Sequence, residues 1–278
     1  MLGAIIGDIV GSRFERHNHK SKDFDLFHPD CSVTDDSIMS LAIAKTISEC
    51  GKDYDKLGQL AVKNMQELGR RYPDCGFGAW FFSWIHSDNP QPYNSFGNGA
   101  AMRVSACGLA ANSLEMATYL SRKATEVTHN HPEGLKGAEA TAVAVFMAKN
   151  GWSKLEIREY IEEHYYPLNF SLDEIRQAYQ FDVTCQGTVP QAIVAFLEAD
   201  SFEDAIRNAI SIGGDSDTLG AITGGIAGAF YSISPQMREQ ALTYMDEELR
   251  GILKTFEVEY HEVSDLEKEE ESPMAKEV

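Results

Sequence analysis

The sequence predicts an all-α fold organised as one large domain. Three observations carry this: apolar residues recur at helical spacing along almost the whole chain, Ser, Thr and Asp caps stand ahead of those segments, and the alternating pattern of strands is nearly absent. With 278 residues, 43% of them hydrophobic, the chain is long enough to bury a sizeable core.

Taken in order, the opening segment is apolar, has no basic start and meets Asp8 early, so it does not read as a secretory leader. Ile38 to Ile47 is apolar nearly all round and predicts a buried helix. Leu135–Lys149 and Leu219–Tyr231 are so rich in Ala and Gly that neighbouring helices can approach closely. Ser153 with Glu156, Ser171 with Glu174, and Ser201 with Asp204 predict capping boxes or close variants. Phe256 to Val263 alternates apolar with polar residues and is read as a short extended exit segment. No linker divides the body, so the expected organisation is a helical domain over 1–258. An acidic, mobile tail over 259–278 follows, because from Glu257 onward nine acids face two lysines. The aromatic run Trp80 to Trp84 is expected in the core.

Composition also excludes. Twenty-four Lys and Arg against 43 Asp and Glu leave a net charge of −19, too little basic surface for a broad nucleic-acid footprint or an anionic membrane. Five cysteines lack disulfide-framework or zinc-site spacing. The longest apolar stretch, Leu219–Ile233, contains four glycines and is a poor membrane span, so cytoplasm is the expected compartment and no membrane partner is expected.

Five clusters can carry chemistry. Thr34-Asp35-Asp36-Ser37 heads the Ile38 helix, where its oxygens suit a cap. Adjacent carboxylates repel, however, and a hard divalent cation removes that cost using oxygen ligands alone. Gly213-Gly214-Asp215-Ser216-Asp217-Thr218 repeats the pattern ahead of another apolar helix, its glycines letting the backbone bend until the carboxylates converge. Two such oxygen-only clusters fit a pair of Mg²⁺ or Mn²⁺ ions better than zinc. Ser95-Phe96-Gly97-Asn98-Gly99-Ala100-Ala101-Met102 is a small-residue turn, which alone reads either as an ordinary Asn-Gly turn or as a phosphate loop. Glu15 follows the apolar opening, and Thr128-His129-Asn130-His131 precedes another helix, where either histidine can cap or pack.

Gly7-Asp8, Gly11-Ser12-Arg13-Phe14-Glu15, Thr34 to Ser37, Gly97 to Arg103, Thr128-His129 and Gly213 to Thr218 stand in one order. That order resembles the ADP-ribosylglycohydrolase family, which includes the dinitrogenase reductase activating glycohydrolases. The resemblance runs from about Leu2 to Tyr231 and implies a compact, orthogonal multi-helix domain with a dinuclear metal cleft. It further implies that Thr34, Asp35, Asp36, Asp215, Asp217 and Thr218 hold two Mg²⁺ or Mn²⁺ ions. Ser95 to Met102, His129 and Val183 would contact substrate, and Glu15, with Asp35 or Asp36, would serve as acid or base. The implied activity is hydrolysis of the bond between ADP-ribose and an acceptor on a protein, nucleic acid or small molecule, releasing ADP-ribose. A non-catalytic ADP-ribose binder and a dinuclear-metal phosphohydrolase are the alternatives.

Overall fold

The structure is a computed structural model that describes the backbone of residues 1–270 and the side chains as far as Tyr260. Fourteen helices follow one another among the described residues. They begin with α1 (Leu2–Ser12), α2 (Asp35–Cys50), α3 (Leu57–Arg71), α4 (Ala79–Ile85) and α5 (Ser105–Ala110). Next come α6 (Leu114–Thr125), α7 (Pro132–Lys149), α8 (Lys154–His164), α9 (Leu172–Ile175) and α10 (Cys185–Leu197). The chain continues through α11 (Phe202–Ser211), α12 (Ser216–Phe230), α13 (Pro235–Leu242) and α14 (Glu247–Glu270). The described residues hold no β-strand, only an isolated bridge between Gly97 and Thr184, so the all-α reading is correct.

Sequence dictates which helices go inside. Ile38, Met39, Leu41, Ile43 and Ile47 of α2 are fully buried, since apolar side chains around the whole circumference leave no face for water. Helix α7 is buried from Gly137 to Ala148 for the same reason.

The contact that positions the site is the antiparallel seam between α1 and α12. A Cβ built on Gly7 would lie 1.8 Å from the Gly220 carbonyl oxygen, and one on Gly3 would lie 2.2 Å from that of Gly224. One on Gly11 would sit 2.5 Å from the Asp217 Cα. Glycine at every fourth position therefore makes a flat stripe on each helix, and backbones touch where side chains would otherwise hold them apart. This closeness brings Asp8 of α1 against Asp217 of α12.

Local start signals work largely as read. Ser153–Glu156 and Ser171–Glu174 form reciprocal capping boxes. Ser201 caps α11 by accepting from Asp204 N at 3.1 Å, while the Asp204 carboxylate reaches back to Asp200 N instead of closing the box. Phe256 to Val263 is not extended; it lies inside α14. Leu249, Leu253 and Phe256 are buried and Val258 is 51% exposed, so the period is helical and the alternation coincidental. Of the acidic stretch 259–278, the backbone as far as Glu270 is helical, and 271–278 lie outside the described residues. No described helix is long and apolar enough to cross a membrane.

Candidate active site

A cavity of about 600 Å³ opens where the heads of α2 and α12 converge beside the end of α1. Asp35, Asp36, Asp215, Asp217, Thr218 and Glu15 line one part of it. Thr34 is the N-cap of α2, accepting from Asp36 N at 3.3 Å, so the capping reading and the cluster reading are both true. Gly213 and Gly214, at φ +70° and +77°, turn the chain so that Asp215 and Asp217 enter the cavity ahead of α12. Carboxylate oxygens of Asp8, Asp36 and Asp217 lie within 4.8 Å of one another, all three residues buried.

This crowding is electrostatically costly. Burial first, then Asp8 and Asp35, push the Asp36 carboxyl well above its ordinary value, and Asp217 is raised by burial and by Asp36. Burial raises Asp35 to about 7, with Asp8 the next cause. Glu15 is raised by burial and Asp215, against the opposing pull of Arg16, whose guanidinium stands 3.2 Å away. One oxygen of Asp36, Oδ1, is buried without a hydrogen-bond partner. A compact set of buried carboxylates, an orphaned oxygen and neighbouring hydroxyls, with no Cys or His among them, suits a hard divalent cation.

The opposite wall is the loop that runs from Ser95 into Met102. Asn98 joins the two walls: its side-chain amide donates to Asp215 Oδ2 at 2.7 Å, and its backbone N–H donates to the Val183 carbonyl at 2.7 Å. Ser95, Phe96, Gly97, Asn98, Gly99, Met102, His129 and Val183 line the cavity, whereas Ala100 and Ala101 are fully buried and do not. Thr34 does not line it either; its hydroxyl donates to Asp8 Oδ1 at 2.6 Å. Of the two histidines, His131 caps α7 and His129 faces the cavity. The aromatic run divides, because α4 has an inside and an outside. Phe81 and Trp84 are buried, while Trp80 is 76% exposed at the cavity rim, stacked on Tyr93.

Two residues to which the sequence assigns no role shape the site: Asp8, beside Asp36 and Asp217, and Arg103, on the cavity wall. Asp8 is fully buried and accepts three hydrogen bonds: the Thr34 hydroxyl, Thr34 N at 3.0 Å and Ser37 N at 3.1 Å. It thereby ties α1 to the head of α2. The signal was present, since a lone carboxylate inside an otherwise apolar helix needs a buried partner. Arg103, 1% exposed, lies at the cavity wall, its Nη2 donating to Thr128 Oγ1 at 2.6 Å.

Fold and site together define an all-α protein with an acid-floored, oxygen-lined cleft at converging helix heads. The profile of the ADP-ribosylglycohydrolase family matches residues 1–265, and the chain belongs to that family. It is 26% identical to the human ADP-ribosylhydrolase ARH3, over 84% of this chain and 84% of the relative. It is likewise 26% identical to the ADP-ribosylarginine hydrolase Tri1 of Pseudomonas putida, over 84% of this chain and 70% of that one. A solved structure described as an ADP-ribosylglycohydrolase-related protein complex shares the fold at a TM-score of 0.65 and 22% identity, covering 92% of this chain and 94% of the other. The protein is therefore a glycosyl hydrolase of the ADP-ribosylglycohydrolase type.

Proposed function

We propose that the protein hydrolyses the bond between the anomeric carbon of ADP-ribose and an acceptor on a protein, nucleic acid or small molecule, releasing ADP-ribose. One observation carries the reading: a single cavity gathers the carboxylate cluster, Glu15, the Ser95–Met102 loop and His129. Asp35, Asp36, Asp215, Asp217 and Thr218, with Thr34 at the edge of the cluster, are assigned to hold two Mg²⁺ or Mn²⁺ ions. When bound, such ions supply fixed positive charge that orients sugar hydroxyls and makes water more acidic.

The chain's own groups do the rest. Glu15 stands in the cavity with its carboxyl raised, so it can carry a proton to the leaving group or take one from the attacking water. Asp35 or Asp36 shares that base role at the cluster. Carboxylates around the sugar oppose the positive charge that builds on the ring as the bond breaks. Asn98, held between Asp215 and Val183, fixes the loop that would lie along the diphosphate. Ser95, Phe96, Gly97, Gly99 and Met102 are assigned with it to the diphosphate and ribose, His129 to contact with the substrate, and Val183 to the adenosine side. Ala100 and Ala101 support the loop from the core.

Product analysis tests the reading. The protein is incubated with defined ADP-ribosyl conjugates, an arginine-linked one included because Tri1 is named for that linkage. Free ADP-ribose is the expected product in mass spectrometry. AMP would show a phosphohydrolase instead, and conjugates bound but left intact would show a binding protein.

A further inference from the structure

Among the described residues, Arg103 is a buried cation with no carboxylate beside it. The groups that bear on its charge are Tyr93, Cys107 and Cys185, and burial pulls its pKa down to about 10. Its Nε has no hydrogen-bond partner, and its guanidinium lies 5.6 Å from the Phe81 ring centre. Its Nη2 donates to the Thr128 hydroxyl. That hydroxyl also lies 2.7 Å from His129 Nδ1 and 3.3 Å from the Thr125 carbonyl oxygen.

Donor chemistry and the contact distances together point to one placement of the protons. Arginine can only donate, so Arg103 occupies a lone pair of Thr128 Oγ1. The Thr125 oxygen already accepts two backbone N–H groups, those of Thr128 at 3.1 Å and His129 at 2.9 Å. The Thr128 proton therefore points along the shorter contact, to His129 Nδ1. A neutral imidazole that accepts at Nδ1 carries its proton on Nε2. The ring is neutral, because burial and then Arg103 push its pKa well below 6.5. Nε2 faces the glycines of the loop: a Cβ on Gly99 would sit 3.4 Å from it and one on Gly97 3.7 Å, so their missing side chains leave that space to a ligand.

We propose that Arg103 and Thr128 are positioning residues that lock His129 as its Nε2–H tautomer, making the ring a hydrogen-bond donor to an anionic oxygen of the ligand over Gly97 and Gly99. The identity of that ligand as ADP-ribose rests on the functional reading above; the tautomer does not. A merely packed histidine needs no such chain, and an unprotonated Nε2 would turn a lone pair toward an anion.

Imidazole ¹⁵N NMR of the intact protein, with His129 assigned by loss of its signals in His129→Asn, reads the tautomer without substrate. The expected spectrum has Nε2 protonated and Nδ1 hydrogen-bonded as an acceptor; a protonated Nδ1 overturns the proposal. Arg103→Met removes the guanidinium whose donation holds the Thr128 hydroxyl turned toward His129, so the Nδ1–H form should appear, and an unchanged tautomer in a folded Arg103→Met protein removes Arg103 from the chain. Thr128→Val should weaken ADP-ribose binding about tenfold, the scale of a lost hydrogen bond to a charged group, and Thr128→Ser should restore it. Undiminished binding by Thr128→Val contradicts the inference. A wild-type protein with the expected tautomer that fails to bind ADP-ribose strikes the functional reading and leaves the hydrogen-bond chain standing.

Discussion

The cleft has two walls of opposite character. At one, carboxylate oxygens of Asp8, Asp36 and Asp217 crowd within 4.8 Å of one another; at the other, Arg103 is buried among Tyr93, Cys107 and Cys185, the groups that bear on its charge. Neither is comfortable alone, since uncompensated charge in a low-dielectric interior is unstable. Asn98 spans them, its loop on the cationic wall and its amide on Asp215. The overall charge of −19 therefore says little about what the cleft accepts. Under the proposed function the acidic wall would hold the metal ions and carry the chemistry, and the cationic wall would receive the anionic part of the ligand.

If the acidic wall carries the chemistry, Glu15→Gln should lower kcat by about 10²- to 10⁴-fold while leaving the ADP-ribose Kd unchanged. Near-normal turnover would take Glu15 out of the mechanism, and a purely Kd effect would move it to the binding wall. Asp8 is the next lever. In Asp8→Asn an amide would face one of the three donors now satisfied by Thr34 and Ser37. Mn²⁺ affinity measured by calorimetry should fall about 10- to 100-fold, the usual cost of disturbing groups that orient ligands. Unchanged affinity would mean that Asp8 only fastens α1 to α2.

The smallest effect is on stability, and its sign separates the walls. Burial raises Asp8 to about 6 and Asp35 to about 7, from an ordinary 3.8. The folded, ion-free protein thus keeps protons that the unfolded chain has released. Stability from these groups is present below pH 3.8 and is lost as pH climbs through 6 and 7. His129, lowered from 6.5, acts in the opposite sense below that pH, but it is one group against Asp8, Asp35, Asp36 and Asp217. In chelator, Tm should fall between pH 5 and pH 8, and Mg²⁺ should raise it at pH 8 more than at pH 5. A Tm that rises with pH in chelator would contradict the reading of the acidic wall.

The helices were largely legible because their signals are local. Ser153 and Glu156 announce a helix start from three residues apart, and an all-apolar Ile38–Ile47 can only be buried. The same locality misled at Phe256, where alternation over a few residues hid a helical face that becomes visible only with Leu249 and Leu253 included. Clusters at helix heads were legible as oxygen-rich runs. Asp8 and Arg103 were not assigned, because their meaning lies in partners 26 and 25 residues away, Thr34 and Thr128. For Arg103 it lies also in an acid that is absent from its surroundings, which no stretch of sequence displays.

The proposed hydrolysis depends on divalent ions at the acidic wall. The direct measurement is ADP-ribose released from a conjugate by protein stripped with chelator, before and after Mg²⁺ or Mn²⁺ is returned. Release should be lost in chelator and recover on readdition, with no recovery in Asp36→Ala. Full release in excess chelator would contradict that dependence.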